Sequence, residues 1–305
     1  MKRSFHICLS SESEVMFRDE EDYDRGFNCF ALALYKTDST GLVESFMSNH
    51  AHLLAQCEYP EGLIGAYRMP YAKYFNYKYG RSGKLGEMRC FVLEVNGLYH
   101  HLAAMSYILR NALHHGVVSI PYAYPHSSVN VIFQREMGKR PVEDLISPSS
   151  YYRHIGRRAD FPDSYKMSSS GLFLRESVLD IPQVENMFAS PRAFDYYMSR
   201  KTSEDWVKEQ SKDNNSMLPI TLETIESNVS MDPVDQMLIN ESGRGNYRRI
   251  TDIELCGIID RIVREDLKKH SVYFLSPEEK MSLANQLRKT HHPTNAQLQR
   301  CLVMV

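Results

Sequence analysis

Apolar residues recur with two different periods along the N-terminal part of the chain and predict the order of its elements. Four segments have the short apolar or alternating pattern typical of strands: Ser4–Ser10, Gly41–Met47, Ala51–Gln56 and Glu87–Val95. Three segments have the composition and spacing of helices: Glu20–Lys36, Gly62–Tyr79 and Gly97–His115. Gly116 follows the last of them, where a glycine commonly ends a helix. The order β-α-β-β-α-β-α predicts an α+β fold, with helices on one face of an antiparallel sheet and the other face free.

Beyond about residue 160 the pattern changes to polar connections and capped helices. Ser168–Gly171 is a predicted linker, and residues 211–216 form a polar break. Pro277 stands at a first helical position, where its missing N–H costs nothing. Three helix starts match the capping box, in which one side chain caps an amide and another reaches back: Thr251 with Glu254, Ser276 with Glu279, and Thr294 with Gln297.

The last two helices are separated only by His291–Pro293, a spacing typical of helix-turn-helix motifs. In such a motif the base-reading side chains would be Asn295, Gln297, Gln299 and Arg300. A helical bundle used for dimerisation or packing fits the same pattern, and the sequence leaves both interpretations open. The predicted division is an α+β domain at 1–165, a helical or irregular connection at 166–250, and a helical region at 251–305.

Composition and cysteine placement exclude several classes of protein. No segment approaches the ~18–20 continuous apolar residues of a membrane span. No apolar run follows the basic N-terminus, so a signal peptide is not expected. The 6 cysteines include no CxxC pair, which argues against a disulfide framework or a zinc site. These features predict a globular protein of the reducing cytoplasm with no membrane partner.

Charge is unevenly distributed, although the formal net charge is only −2. Residues 66–160 carry 13 Lys and Arg against 6 Asp and Glu, whereas residues 1–65 carry 5 against 11. A basic segment interleaved with Tyr and His is the pattern expected of a surface that neutralises phosphates and stacks bases. The alternative is a solvated basic face without a ligand.

His50-Ala51-His52 lies in or beside a predicted strand, where residues two apart point to the same face. Two imidazoles on one face form half of a divalent-metal site, and we expect them to face an open site. The alternative is a polar surface pair. Adjacent histidines do not share a helix face, so three further pairs are interpreted as structural or solvent-facing: His100-His101, His114-His115 and His291-His292.

Tyr107 and Asn111 are four residues apart on the predicted helix Gly97–His115, so they share one face. An amide oxygen beside two imidazoles completes a protein triad that leaves positions open on an octahedral Mg²⁺ or Mn²⁺. The neighbouring tyrosine would then be placed to attack a phosphate. The alternative is that Tyr107 is a core residue, since the chain contains 19 tyrosines.

The segment Met47-Ser-Asn-His-Ala-His-Leu-Leu54 resembles the His-hydrophobic-His (HUH) signature of single-tyrosine transposases. The resemblance continues in order through six further segments, all before residue 130: Tyr71–Asn76, Arg81–Leu85, Arg89–Phe91, Tyr107–Asn111, Gly116–Val118 and His126–Ser128. The series resembles the REP-associated tyrosine transposases and covers roughly residues 1–135.

This resemblance implies a ferredoxin-like HUH nuclease fold and a metal-dependent endonuclease and strand transferase that acts on single-stranded or hairpin DNA during transposition. It implies Tyr107 as the nucleophile and His50, His52 and Asn111 as ligands of Mg²⁺ or Mn²⁺. Contacts to DNA are expected from four basic residues in the basic segment and two residues of the last helix: Lys73, Lys78, Arg81 and Arg89, with Gln297 and Arg300.

Two positions depart from the family pattern: Gly86 replaces the usual tryptophan, and Ala112 replaces the proline after the asparagine. They leave room for a domesticated, catalytically weak DNA-binding regulator that uses its C-terminal helices. An RNA-binding module is a third interpretation, because such modules share this sheet plan. A homodimer is one expected state of the protein, and its DNA target sequence is not predicted.

Overall fold

The computed structural model describes residues 1–142, 144–199, 204–213, 215, 217–221, 224–225 and 250–304. Residues 226–249, which form most of the last third of the predicted connection, lie outside the described residues. Two positions of the predicted polar break, Asn214 and Ser216, also lie outside them. Within the described ranges, no helix is both long and apolar enough to cross a membrane.

A four-stranded antiparallel sheet forms the centre of the fold. Its strands are β1 (Arg3–Ser10), β2 (Thr40–Phe46), β3 (His50–Cys57) and β4 (Phe91–Val95), in the order β2-β3-β1-β4. Helix α1 (Glu20–Lys36) joins β1 to β2, and α2 (Pro60–Tyr79) joins β3 to β4. This connectivity is the ferredoxin-like arrangement, and it confirms the predicted α+β class.

One predicted strand is shorter than its pattern. The alternation of Glu87–Val95 predicted a strand over the whole segment, but β4 begins at Phe91. The carbonyls of Leu85 and Glu87 accept hydrogen bonds from the Arg68 guanidinium at 2.9 and 2.6 Å. The Glu87 amide donates to the Ser10 carbonyl at the end of β1 at 2.7 Å, so the segment before Phe91 touches β1 without continuing the regular ladder.

The two faces of the sheet are both covered. Residues paired directly across antiparallel strands point to the same face, so His52 shares a face with Cys8 and Ser45. The opposite face carries Phe46. Its ring meets Phe17 of the loop between β1 and α1, Phe27 of α1 and Tyr67 of α2. Helices α1 and α2 therefore cover that face, as predicted.

Helix α3 (Leu98–Leu109) covers the face that was expected to be free. Its His101 lies 2.8 Å from the Ser4 hydroxyl of β1, and the ring of Tyr107 lies 5.2 Å from that of His52. The expectation was wrong because α3 is apolar almost all round, with 9 of its residues buried. A helix of this kind is stable only when other elements pack against it on more than one side.

The predicted helix Gly97–His115 is interrupted. Helix α3 ends at Leu109, and a one-turn helix, α4, spans Asn111–His114. Arg110 between them has φ −98° and ψ 5°, in the bridge region outside the helical well. Tyr107 and Asn111 therefore belong to two helical segments, and their relative position is set by the break at Arg110 and not by a continuous turn.

Short helices that follow α4 pack mainly on α1, α3 and β2. They are α5 (Pro148–Ile155), α6 (Arg175–Val178), α7 (Ile181–Phe188), α8 (Pro191–Ser199) and α9 (Glu204–Gln210). Phe173, Phe188 and Phe194 belong to the same buried cluster as Ile7 of β1. The N-terminal core is thus built partly from residues beyond 165, and the division into 1–165 and 166–250 stays a prediction.

Three capped helices form a second core at the C-terminus. They are α10 (Asp252–Glu265), α11 (Pro277–Thr290) and α12 (Asn295–Leu302), and all three predicted capping boxes are present. We call residues 250–304 the C-terminal module. Its apolar cluster includes Val15 from the loop after β1, so the module packs against the rest of its own chain.

Candidate active site

The two histidines of the sequence motif stand at the start of a central strand. His50 is the first residue of β3, opposite Ser10 of β1, and His52 is opposite Cys8. A tight turn precedes them, closed by the Met47 amide, which donates to the His50 carbonyl at 2.7 Å. Strand periodicity places both imidazoles on the α3 face of the sheet, with ring centroids 5.1 Å apart.

Asn111 and Tyr107 meet these histidines from the helical side. Asn111 Oδ1 lies 2.8 Å from His50 Nε2, and the Tyr107 ring packs edge-on against His52 with centroids 5.2 Å apart. The structure therefore brings together His50, His52, Tyr107 and Asn111, the four residues predicted to form one site. Their chemical roles stay predictions.

The site is closed, contrary to the expectation of an open metal-facing pair. His50 retains 2% of its accessible surface, and His52, Tyr107 and Asn111 retain 0%. Burial lowers the pKa of His50 to about 3 and that of His52 well below its usual range, because a charged ring loses its hydration there. Both imidazoles are neutral at physiological pH, the form in which histidine binds metals.

Three more histidines adjoin this site, of which His6 and His115 are buried and His114 is half-buried. His6 Nε2 on β1 lies 2.9 Å from His52 Nδ1. The ring of His114 stacks on Tyr107 with centroids 5.6 Å apart, and His115 lies 5.0 Å from His50. The sequence interpretation of His114-His115 as a structural or solvent-facing pair did not place these residues beside His50 and His52. The available signal was their position one turn after Asn111.

The residue types fit a divalent metal, whereas their enclosure does not give a substrate access. Two neutral imidazoles and one amide oxygen converge, although no group of three or more His, Cys, Asp or Glu suited to a metal occurs in the described ranges. Within those ranges four buried polar atoms around the histidines have no hydrogen-bond partner: His6 Nδ1, Ser45 Oγ, Asn111 Nδ2 and His114 Nε2. Buried polar atoms of this kind are normally satisfied, which is consistent with a polar occupant such as an ion or water.

The predicted DNA contacts of the basic segment differ in accessibility. Lys73 and Arg89 are exposed. Lys78 instead donates to Asp19 and Asp22 at 2.7 and 2.9 Å, and Arg81 pairs with Glu14 at 2.8 Å. Lys78 and Arg81 would have to leave these carboxylates to meet a phosphate.

The two predicted contacts on the last helix point inward. Gln297 is 7% exposed and donates to the Asp252 carboxylate at 3.1 Å and to the Ile250 carbonyl at 2.8 Å. Arg300 pairs with the same carboxylate at 2.5 Å. These contacts hold α12 against the start of α10, so this face of α12 serves packing in the structure, and base reading by these two residues stays a prediction.

Replacing a buried histidine of this cluster is expected to destabilise the fold. His52→Ala removes a buried ring and leaves His6 without its partner, so the free energy of unfolding should fall by about 2–4 kcal/mol. Urea denaturation followed by circular dichroism measures this change. The exposed His291→Ala variant is the control and should change stability by less than about 0.5 kcal/mol. Equal stability of both variants would contradict the buried placement of His52.

Comparison with known proteins gives a likeness in structure but not in sequence. No family model and no curated protein matches the chain. A solved structure of a REP-associated tyrosine transposase bound to a REP hairpin is similar at 13% sequence identity and a TM-score of 0.38. The match covers 46% of this chain and 84% of that one.

Proposed function

We propose that this protein is a metal-dependent single-stranded DNA endonuclease and strand transferase that acts through a 5′-phosphotyrosine on Tyr107, on hairpin or palindromic repeat DNA. The observation that carries the proposal is the convergence of His50, His52, Tyr107 and Asn111. These residues come from a strand and from two helical segments, and 61 positions separate the hydrogen-bonded pair His50 and Asn111. The HUH resemblance selected the same four residues from the sequence.

Tyr107 and the three metal-binding residues have different roles in the proposed reaction. The Tyr107 oxygen forms a bond to phosphorus while the bond from phosphorus to the 3′ oxygen breaks. The phenol loses a proton and the departing 3′ oxygen gains one, so the step needs no oxidant and no nucleotide cofactor. A free tyrosine has a pKa of about 10 and is a weak nucleophile at neutral pH. His50, His52 and Asn111 would hold the divalent metal, which when bound offsets charge on the phosphate and orients the scissile bond.

The closed geometry adds a requirement to this mechanism. A phosphate must approach the Tyr107 hydroxyl to within about 3–3.5 Å before attack. With Tyr107 at 0% exposure, α3, α4 or their neighbours must move before DNA enters. The break at Arg110 is a position at which α4 can shift without bending a continuous helix. Catalysis by this site therefore includes an opening step.

The burial of all four residues specifically favours a second candidate function, a catalytically weak DNA-binding regulator. In that case the buried cluster would be a structural remnant, and the exposed Lys73 and Arg89 would retain salt-dependent affinity for DNA. The two functions differ in one product, because only the enzyme becomes covalently linked to DNA.

Incubation with a labelled single-stranded hairpin and Mg²⁺ or Mn²⁺ is expected to give a protein–DNA adduct that survives denaturing electrophoresis. Chelation of the metal should prevent the adduct, and a duplex without single-stranded flanks should give none. An RNA hairpin of the same sequence tests the RNA-binding interpretation. Salt-sensitive binding of the DNA hairpin without any adduct would support the regulator and contradict the enzyme.

A further inference from the structure

The turn before β3 contains an amide whose orientation is fixed by its neighbours. Asn49 Nδ2 lies 3.2 Å from the Ser11 carbonyl oxygen, and Asn49 Oδ1 lies 2.9 Å from His50 Nδ1. A backbone carbonyl can only accept a hydrogen bond, so the amide nitrogen must face Ser11. Turning the amide over would bring two oxygens together at that position. The oxygen of Asn49 therefore faces His50.

This orientation determines the tautomer of His50. Because Asn49 Oδ1 only accepts, His50 Nδ1 must carry the hydrogen and donate it. A neutral imidazole has one N–H, so Nε2 is left with a free lone pair. Metal-bound histidines are commonly oriented in the same way, by an oxygen that accepts from the second ring nitrogen.

The lone pair of His50 Nε2 points at Asn111. The two facing atoms, Nε2 and Oδ1, lie 2.8 Å apart, and both are acceptors in this tautomer. Adjacent ligands of an octahedral metal with bonds of roughly 2.1 Å stand about 3.0 Å apart, close to that separation. In the metal-free protein, half a turn of the Asn111 amide would present its nitrogen to Nε2 instead. The metal-bound site and the metal-free site with the turned Asn111 amide both require that His50 Nε2 carries no hydrogen.

We propose that Asn49 is a positioning residue that fixes His50 in the Nδ1–H tautomer and so keeps Nε2 available for the metal. The proposal rests on the proposed function for its metal, whereas the tautomer itself is a property of the metal-free chain. Asn49 touches neither the phosphate nor the metal in this account and acts only through His50.

Backbone hydrogen bonds hold the turn in addition to the contact between the Asn49 side chain and Ser11. The Ser11 amide donates to the Asn49 backbone carbonyl at 2.8 Å, and the Met47 amide donates to the His50 carbonyl at 2.7 Å. Asn49 is half-buried and leaves no large cavity when it is shortened. Substitutions at Asn49 therefore test the ring of His50 with little disturbance of β3.

The test is nitrogen NMR of the full-length protein, metal-free and with histidine ring nitrogens labelled. His50 is assigned by comparison with His50→Gln. Wild type should show the Nδ1–H pattern for His50, and Asn49→Ala should move it toward Nε2–H. Asn49→Asp loses the donor to the Ser11 carbonyl but keeps an oxygen that accepts from His50 Nδ1, so it should retain the wild-type pattern. Ser13→Ala, at an exposed position in the loop after β1, is the control and should leave the ring unchanged.

Metal affinity supplies a second measurement. Loss of an oxygen that orients a ligating histidine typically weakens metal binding 10–100-fold, so Asn49→Ala should bind Mn²⁺ more weakly than wild type by about that factor. Asn49→Asp should bind at least as tightly as wild type. Free Mn²⁺ measured by electron paramagnetic resonance reports this without any DNA.

Two NMR results would overturn the inference: an Nε2–H pattern for His50 in wild type, or an unchanged pattern in Asn49→Ala. Equal Mn²⁺ affinity of wild type and Asn49→Ala, when both bind the metal, would also overturn it. A wild-type protein that binds no Mn²⁺ and forms no adduct, yet shows the expected tautomers, overturns the proposed function and supports the positioning of His50 by Asn49. The two failures are therefore distinguishable.

Discussion

Tyr107→Phe is expected to abolish the covalent protein–DNA adduct while leaving the fold and single-stranded DNA binding intact. The substitution removes one oxygen atom, and the ring keeps its edge-on contact with His52 and its stacking on His114. Loss of a catalytic nucleophile commonly lowers turnover by at least ~10³-fold. The adduct should therefore fall below detection on a denaturing gel, while a native binding assay gives the wild-type affinity.

Tyr99→Phe is the matched control for this experiment. Tyr99 stands on the same helix two turns earlier, is only partly buried, and has Ala103, not an amide, four residues further on. Its adduct yield should equal that of wild type. If Tyr99→Phe eliminates the adduct and Tyr107→Phe does not, the assignment of the nucleophile is wrong.

Local signals in the sequence predicted much of the fold. Helix Glu20–Lys36 has the bounds that its apolar periodicity predicted, and Asp19 caps it by accepting from the Asp22 amide. The three capping boxes of the C-terminal module were equally readable, because a cap depends on residues three positions apart. The convergence of His50 with Asn111 came from strand and helix periodicity together with the family resemblance.

Long-range packing was beyond the reach of these local patterns. The periodicity of Gly97–His115 predicted its helical extent, but the conformation of Arg110 follows from what α3 and α4 contact and not from its own residue type. The burial of His52 depends in the same way on α3 returning across the sheet. Lys78 and Arg81 were predicted to face DNA from their place in the basic segment. Local patterns did not reveal their carboxylate partners, Asp19, Asp22 and Glu14, because these lie more than 50 positions away.

The docking of the C-terminal module is the clearest case of such a long-range effect. Ser48, in the turn before His50, donates to Asp252 at the start of α10 at 2.7 Å. The positive charge of Arg300 contributes to lowering the pKa of His50 and of His115, which places the module close to the buried histidines. The C-terminal module is thus part of the surroundings of the candidate active site.

Arg18 is the main polar anchor of this docking. Its side chain is 0% exposed, pairs with Asp260 of α10 at 2.7 Å, and donates to the Cys301 carbonyl of α12 at 2.9 Å. Its guanidinium also lies 5.7 Å from the centre of the Tyr79 ring. A buried cation with these partners joins the loop after β1 to two helices of the module.

Arg18→Ala is expected to lower the free energy of unfolding by about 3–5 kcal/mol, because removing one partner of a buried ion pair leaves Asp260 and the Cys301 carbonyl without their donor. Urea denaturation measures the loss, and Arg264→Ala, at an exposed position on the same helix as Asp260, should change stability by less than about 0.5 kcal/mol.

Amide hydrogen exchange of Arg18→Ala adds a local measurement. Protection of α10 and α12 should fall more than that of β1 and β3, because the module loses its anchor while the sheet keeps its core. Uniform loss of protection across sheet and module would instead mean that the two unfold as one unit, and that the module cannot open separately to admit DNA.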